Sequence, residues 1–162
     1  MSETADLLER FRRGPELLAM SMTGAAGAEL DYVPEPGKWS VRQIICHLAD
    51  AEMVGAMRFR QVIAEDKPAL PNYDEKAWAT SLDYSKRKAS PVIESFRRTR
   101  GENYELLKDL PESVYERVGV HSERGPVTLL DLLRIYTVHA EKHSEQLRNA
   151  RAAYKESKAK QA

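Results

Sequence analysis

Apolar residues recur at helical spacing in four separate stretches of the chain. This pattern predicts helices over residues 3–22, 40–65, about 90–109 and about 128–154. The first is expected to break or kink at Gly14-Pro15, because proline lacks a backbone donor and clashes with the preceding turn. No stretch shows a convincing strand alternation. The sequence therefore predicts an all-α protein built as a four-helix bundle.

Residues at the ends of these stretches support the helix boundaries. Ser40 with Gln43, and Thr128 with Asp131, have the spacing of capping boxes. Ser90, followed by a proline, has the form of an N-cap for the third long helix. These signals place the starts of the second, third and fourth long helices.

The segments between the helices differ in character. The helical pattern fails over residues 23–38, where Tyr32–Gly37 is expected to form an ordered loop, and residues 118–126 are too irregular for a helix. Residues 66–88 form a long connection in which Asp74–Ser81 is predicted to make a short helix. A connection of this length often crosses from one end of a bundle to the other or carries functional residues.

Composition narrows the class of protein. Hydrophobic residues make up 42% and charged residues 31% of the 162 residues, which fits a globular chain with one core. We expect one domain over residues 1–155 and a flexible tail over residues 156–162. No apolar run reaches the roughly 20 residues of a membrane helix, and the first residues lack a secretory signal. A cytoplasmic location and no membrane partner are therefore expected.

Charge and cysteine content exclude further classes. The 25 basic and 25 acidic residues balance, which leaves no electrostatic case for a nucleic-acid partner. A single cysteine, Cys46, excludes an internal disulfide, and we expect it to pack in the core rather than to act as a nucleophile. The basic run Arg97–Arg100 is predicted to lie on a solvated helix face.

The strongest chemical signal is a pair of histidines, His139 and His143, four residues apart in the fourth predicted helix. Side chains at this spacing project from the same face, so two imidazoles can share one divalent metal ion. The intervening Glu141 points about 160° away from them, which argues against the metal-peptidase arrangement. The pair alone is also compatible with two solvated imidazoles.

A third histidine, His47, makes a metal site more plausible. It lies in the second predicted helix, on a face of mostly small residues that includes Ala51 and Val54 but also Arg58. A buried imidazole without a partner would be costly there. Either His47 is a core histidine with a hydrogen-bond partner, or it joins His139 and His143 as a ligand. Three imidazoles would leave a coordination position open, as catalytic metal sites do.

Four further residues are candidates for supporting roles. Tyr136 and Gln146 fall near the face of His139 and could support the ligands. Asp50, one turn from His47, could orient a neighbouring group or a substrate, or could be a half-exposed charge. His121 is predicted on a loop, either as a surface imidazole or at the rim of a pocket.

The segment Trp39–Glu52 resembles a family signature. It reads WSVRQIICHLADAE, which is similar to the W-S-x-x-(E/Q)-I-x-x-H-L-x-D-x-E segment of the DinB/YfiT-like superfamily. The His139-x-x-x-His143 pair lies where that family carries its second and third histidines. The stretches Tyr73–Trp78 and Val120–Glu123 further resemble the YfiT-type branch.

The resemblance implies an up-down-down-up four-helix bundle whose long connection crosses the bundle. It implies one divalent metal ion per chain, held by His47, His139 and His143. Zinc or nickel is expected first, with iron, manganese or copper as alternatives. It also implies a homodimer. Relatives include S-transferases that use low-molecular-weight thiols, mycothiol-dependent isomerases and proteins named as metal-dependent hydrolases.

Two functions from different classes follow. In the first, the chain is an enzyme of hydrolase or S-transferase type in which the metal activates a water or a low-molecular-weight thiol cosubstrate. In the second, it is a non-catalytic, stress-related homodimer whose metal is structural. No residue identifies the general acid or base or the substrate.

Overall fold

Residues 2–162, which the computed structural model describes, fold as a four-helix bundle with up-down-down-up topology. Its α-helices are α1 (Glu3–Arg12), α2 (Gly14–Met22), α3 (Val41–Ala64), α4 (Glu75–Ser81), α5 (Ala89–Leu107) and α6 (Leu129–Ala159). Three short strands are β1 (Ala69–Leu70), β2 (Val118–His121) and β3 (Gly125–Thr128). Short 3-10 helices cover Gly27–Asp31, Tyr84–Lys86 and Glu112–Glu116. Helices α1 and α2 together form the first helix of the bundle, and α3, α5 and α6 are the others.

The predicted break in the first helix is confirmed at Gly14-Pro15. Proline stands in the first turn of α2, where its missing N–H costs nothing. A Cβ atom at Gly14 would lie 2.7 Å from Nη1 of Arg100. The glycine therefore also makes room for a buried guanidinium.

Both predicted capping boxes are present. The Ser40 hydroxyl accepts a bond from the backbone N–H of Gln43, whose side chain accepts one from the Ser40 N–H. Thr128 and Asp131 make the same reciprocal pair at the start of α6. The third long helix begins at Ala89, one residue before the predicted cap Ser90, with Lys88 as its N-cap. Pro91 fits inside the first turn because donors there have no partner within the helix.

The expectation that the chain lacks strands is wrong for the connections. Strand β1 pairs in parallel with β2, and β2 pairs with β3 as an antiparallel hairpin. These strands have two to four residues each, too few for a visible alternation. A Cβ at Gly119 would lie 2.7 Å from Leu70 Cδ1 and 2.9 Å from Val62 Cγ2, so the sheet packs closely against the end of α3.

Two groups of buried apolar side chains form the core. One is built around Ile44, Leu48, Phe96 and Leu147, and the other around Phe11, Phe59, Leu107 and Leu133. Along α6, Tyr136 belongs to the second group and Ala140 to the first. His139 thus lies where the two groups meet.

The last helix is longer than predicted. It continues to Ala159 rather than ending near Tyr154. The flexibility of residues 156–162, and the single domain over residues 1–155, stay predictions. Across residues 2–162, no helix combines the length and the apolar character that crossing a membrane requires.

Candidate metal centre

Three imidazoles from two helices converge at one point. His47 comes from α3, and His139 and His143 come from α6. Each offers a ring nitrogen, and these three atoms lie within 4.8 Å of one another. The Nε2 atoms of His47 and His139 are 2.9 Å apart. Within residues 2–162, no other group of three or more histidine, cysteine or acidic side chains converges in this way.

The environment of the three rings keeps them neutral. Burial, followed by the charge of His143, lowers the pKa of His47 to about 4. Burial, followed by the charges of His143 and His47, lowers the pKa of His139 to about 2. Burial also lowers the pKa of His143. Neutral imidazole is the form that binds a metal ion, so the three rings are ready to do so at neutral pH.

Neighbouring side chains fix the orientation of two of the rings. Nδ1 of His143 lies 2.7 Å from Oε1 of Gln146. The amide oxygen can only accept, so Nδ1 carries the proton and Nε2 is left with a free lone pair. The ring of Trp39 packs against His47, with centroids 4.9 Å apart. Three neutral imidazoles, one with its tautomer set by an outer partner, are a donor set that suits a divalent transition metal ion.

Tyr136 lies on the other side of His139. The two ring centroids are 6.5 Å apart, and the tyrosine hydroxyl accepts a hydrogen bond from Nη1 of Arg58 at 3.1 Å. A Cβ at Gly55 would lie 2.7 Å from the Tyr136 ring. Gly55 therefore lets the ring pack directly on the backbone of α3.

Asp50 is buried, and it holds a neighbouring segment in place. One carboxylate oxygen accepts from the Tyr84 hydroxyl at 2.7 Å, and the other accepts from Nη1 of Arg87 at 2.8 Å. The carboxylate thereby fixes the segment before α5 against α3. The predicted alternative of a half-exposed charge does not fit, because Asp50 is only 5% exposed.

His121 stands apart from the three converging rings. It lies on β2, is 5% exposed, and lines a cavity of about 640 Å³ that also touches His139 and Tyr136. Its predicted alternative as a surface imidazole does not fit this burial. Its position borders the cavity that adjoins the histidine cluster.

Cys46 packs in the core, as expected. It is completely buried, and burial raises the pKa of its thiol to about 11. The thiolate that nucleophilic chemistry needs is therefore disfavoured.

Two residues of the site region had no assigned role in the sequence. Arg58 is 8% exposed and lines the cavity, although its position on the helical face of His47 was readable from spacing. Glu75 lines the same cavity, and its charge counteracts the fall in the pKa of His143. Only the fold shows that the long connection carries Glu75 to the histidines.

The comparisons with known proteins agree with this fold and cluster. The family model described as DinB superfamily matches residues 10–147, so the chain belongs to the DinB superfamily.

Two curated relatives are "putative metal-dependent hydrolases". One, from Oceanobacillus iheyensis, is 33% identical over 80% of this chain and 74% of its own length. The other, YfiT from Bacillus subtilis, is 30% identical over 80% of this chain and 73% of its own length. The solved structure of Bacillus subtilis YfiT superposes with a TM-score of 0.86 at 26% identity, covering 93% of this chain and 87% of that one. That protein is described as a probable metal-dependent hydrolase with an unusual four-helix bundle topology.

Proposed function

We propose that this chain is a metal-dependent enzyme in which His47, His139 and His143 bind one divalent ion, zinc or nickel first. The observation that carries the proposal is the convergence of three neutral ring nitrogens within 4.8 Å beside an accessible cavity. The names of the relatives from Oceanobacillus iheyensis and Bacillus subtilis support a metal-dependent hydrolase. A bound ion would lower the pKa of a water or a thiol and so supply a nucleophile at neutral pH.

The chain's own residues would do the remaining work. Gln146 holds the tautomer of His143, and Trp39 holds the ring of His47 in place. Glu75 is an exposed carboxylate of the same cavity, and we assign it the role of accepting the nucleophile's proton. In hydrolysis of an ester the water oxygen would bond to the acyl carbon and the acyl C–O bond would break, and the alkoxide would leave with the proton that Glu75 had accepted.

Thiol transfer is the second candidate reaction. Three nitrogen ligands with an open position accept a soft thiolate as readily as a hydroxide. A low-molecular-weight thiol would then bond through sulfur to an electrophilic carbon and displace a leaving group such as chloride, and the thiol proton would pass through Glu75 to the solvent. A homodimer in solution is also part of this proposal.

Metal analysis combined with two assays tests the proposal. Untagged protein loaded with zinc or nickel is expected to hold about one ion per chain, and His139→Ala with His143→Ala is expected to hold none. His121→Ala removes the histidine outside the cluster and should leave the metal content unchanged. Turnover is measured with p-nitrophenyl acetate and with 2-mercaptoethanol plus 1-chloro-2,4-dinitrobenzene.

The outcomes separate the alternatives. Metal-dependent turnover in either assay, lost with the two histidines, supports an enzyme and identifies its reaction class. One ion per chain without turnover in either assay favours the alternative in which the chain is not catalytic and the ion is structural. Absence of bound metal after loading would remove the basis of the proposal.

A further inference from the structure

The cavity beside the histidine cluster is lined by four parts of the fold and is open to solvent on one side. Helices α3 and α6, the start of the long connection and the β2–β3 hairpin all contribute side chains. Its volume of about 640 Å³ is within the usual range for a small-molecule site. The cavity touches His139, so a ligand inside it would reach the cluster.

Arg58 is a buried cation without a counter-ion. It is 8% exposed, and across residues 2–162 no carboxylate lies within 4.0 Å of its guanidinium. Nη1 donates to the Tyr136 hydroxyl and Nη2 donates to the carbonyl of Pro71 at 2.8 Å. Nε is buried and makes no hydrogen bond within the described chain. Nε has almost no accessible surface, so the donors left for a ligand are the second N–H groups of Nη1 and Nη2. A buried charge without a counter-ion is costly unless an anion pairs with it.

His121 adds a second donor at the same end of the cavity, since it pairs with Leu70, the residue before the Pro71 carbonyl that Arg58 contacts. Its Nδ1 accepts bonds from the backbone N–H groups of Glu123 and Arg124, both at 3.2 Å. Since Nδ1 is an acceptor, the neutral ring carries its proton on Nε2 and can donate it to a ligand. Arg58 and Arg124 line the same cavity as this ring. Burial, followed by the charges of these two arginines, lowers the pKa of His121.

The acidic side chains of the cavity are engaged or lie elsewhere. Asp74 caps α4 by accepting from the N–H of Ala77, and Glu123 accepts from the side chain of Asn72. Glu75 lies close enough to His143 for its charge to act on that ring. The three cations and three carboxylates of the lining balance, which suits a single carboxylate better than a polyanion.

We propose that Arg58, with His121 and Arg124, binds a carboxylate group of the substrate. The substrate class is then an organic acid whose reacting ester, amide, thiol or electrophilic carbon lies at the far end from this carboxylate. Its role as a substrate rests on the function proposed above, whereas the binding of a carboxylate does not.

The spacing along α3 gives an upper bound on the length of such a ligand, because Nη1 of Arg58 reaches the hydroxyl of Tyr136, whose ring centroid is 6.5 Å from that of His139. Arg58 follows His47 by eleven residues, which brings it within about 20° of the same helical face after three turns. The rise over eleven residues is about 16 Å, and the arginine side chain spans part of it. A molecule that reaches from Arg58 to the cluster therefore needs at most a chain of several bonds between its two ends.

Titration of the metal-free, full-length protein tests the carboxylate subsite by itself. Hexanoate and hexanamide have the same chain and differ in charge, and their affinities are measured by calorimetry. Hexanoate is expected to bind about tenfold or more tightly than hexanamide, as charge-assisted hydrogen bonds to an arginine would give. Arg58→Gln should abolish this preference, and Arg124→Gln, at an exposed position, should reduce it about threefold.

Arg98→Gln is the matched control. Arg98 is an exposed arginine of α5 that does not line this cavity, and the hexanoate preference should be unchanged in this variant. Thermal unfolding of each variant shows whether it is folded. If Arg58→Gln is not folded, Arg124→Gln still tests the proposal. Equal affinity for hexanoate and hexanamide would overturn the proposal, as would a preference that survives both substitutions. Tighter binding of hexyl phosphate than of hexanoate would overturn the choice of a carboxylate.

A second titration with zinc-loaded protein connects the subsite to the cluster. 6-Mercaptohexanoate should bind more tightly than 6-mercaptohexan-1-ol, and in Arg58→Gln the two affinities should be equal. If neither thiol binds while hexanoate still binds the metal-free protein, thiol use at the metal fails and the carboxylate subsite stands. If both thiols bind equally and hexanoate does not bind, the subsite fails and the metal function stands.

Discussion

Helix α3 carries two buried polar clusters that differ in how completely they are satisfied. Glu52, five residues after His47, accepts from Nε and Nη2 of Arg100 at 2.8 and 2.7 Å and from Asn103 at 3.2 Å. Nη1 of the same arginine donates to the carbonyl of Phe11, whose ring lies under the guanidinium at 3.9 Å. In this cluster the two opposite charges pair with each other, and the arginine and asparagine donors find acceptors within the chain.

The histidine cluster has no such closure. Its three rings bring nitrogens together, and within residues 2–162 no carboxylate hydrogen-bonds to any of them. The first cluster is what a bundle needs to hold its helices in register, and it leaves nothing for a ligand. The histidine cluster concentrates lone pairs at one point, which is costly in a core without a ligand and useful in a binding site.

Removing the charge of Glu52 should have the largest effect. Glu52→Ala leaves the guanidinium of Arg100 buried without a partner, and the free energy of unfolding should fall by about 3–5 kcal/mol. Urea unfolding measures this loss. The double variant Glu52→Leu, Arg100→Met removes both charges and should recover much of it. If the double variant is as unstable as the single one, the pair is not the closed unit described here.

Metal binding should stabilise the open cluster. At zinc or nickel concentrations about 100 times the dissociation constant, the free energy of unfolding should rise by about 2.7 kcal/mol. Thermal unfolding with and without the ion measures the gain. His47→Ala should lose it, whereas the stability of Glu52→Ala should still rise on metal addition. A gain that survives in His47→Ala would place the ion elsewhere.

Acidification should destabilise the metal-free protein through the same rings. The pKa of His47 is lowered to about 4 in the folded chain, whereas in the unfolded chain it is near 6.5. As the pH falls below about 6.5, His47 binds a proton in the unfolded state but stays neutral in the folded state. Stability present above pH 6.5 is therefore lost toward pH 4, by up to about 1.4 kcal/mol per pH unit for this one ring.

Urea unfolding at several pH values between 7.5 and 4.5 checks this slope. His47→Gln has no titrating group at the position, so its stability should fall less steeply than that of the parent. Identical slopes in the two proteins would contradict the pKa shift of His47.

Loss of a helix cap should have the smallest effect and leave both clusters intact. Thr128→Ala removes the side-chain bond at the start of α6 and should lower the free energy of unfolding by about 1 kcal/mol. Metal content should stay at the parental value. A loss of metal with this variant would mean that the start of α6 controls the position of His139.

Local signals in the sequence were enough for the helices but not for the closed cluster. Ser40 and Thr128 act within three residues of themselves, so the helix starts at these two residues could be predicted. The basic run predicts a solvated Arg100, but the residue is 1% exposed. It is buried because it pairs with Glu52, which is 48 residues away in the sequence. No pattern along one helix reveals such a pairing.

The two sides of the candidate site differ in the same way. His139 and His143 share one helix, and the position of His47 on a face of small residues was readable from spacing, so the three could be grouped in advance. The cavity could not be predicted from the sequence. It depends on β1, a strand of two residues, pairing with β2 about 50 residues further on, and on the long connection that carries Tyr73 and Glu75.

The arrangement of the three imidazoles also has a consequence for the order of folding. His139 and His143 are one helical turn apart, so they come together whenever that turn forms, within a microsecond or less. His47 is 92 residues from His139 and joins them only when α3 docks on α6. An ion present during folding would first meet a weak two-nitrogen clamp on a nascent helix. It would become tightly held only at the long-range step, and its release rate would then report how often the two helices separate.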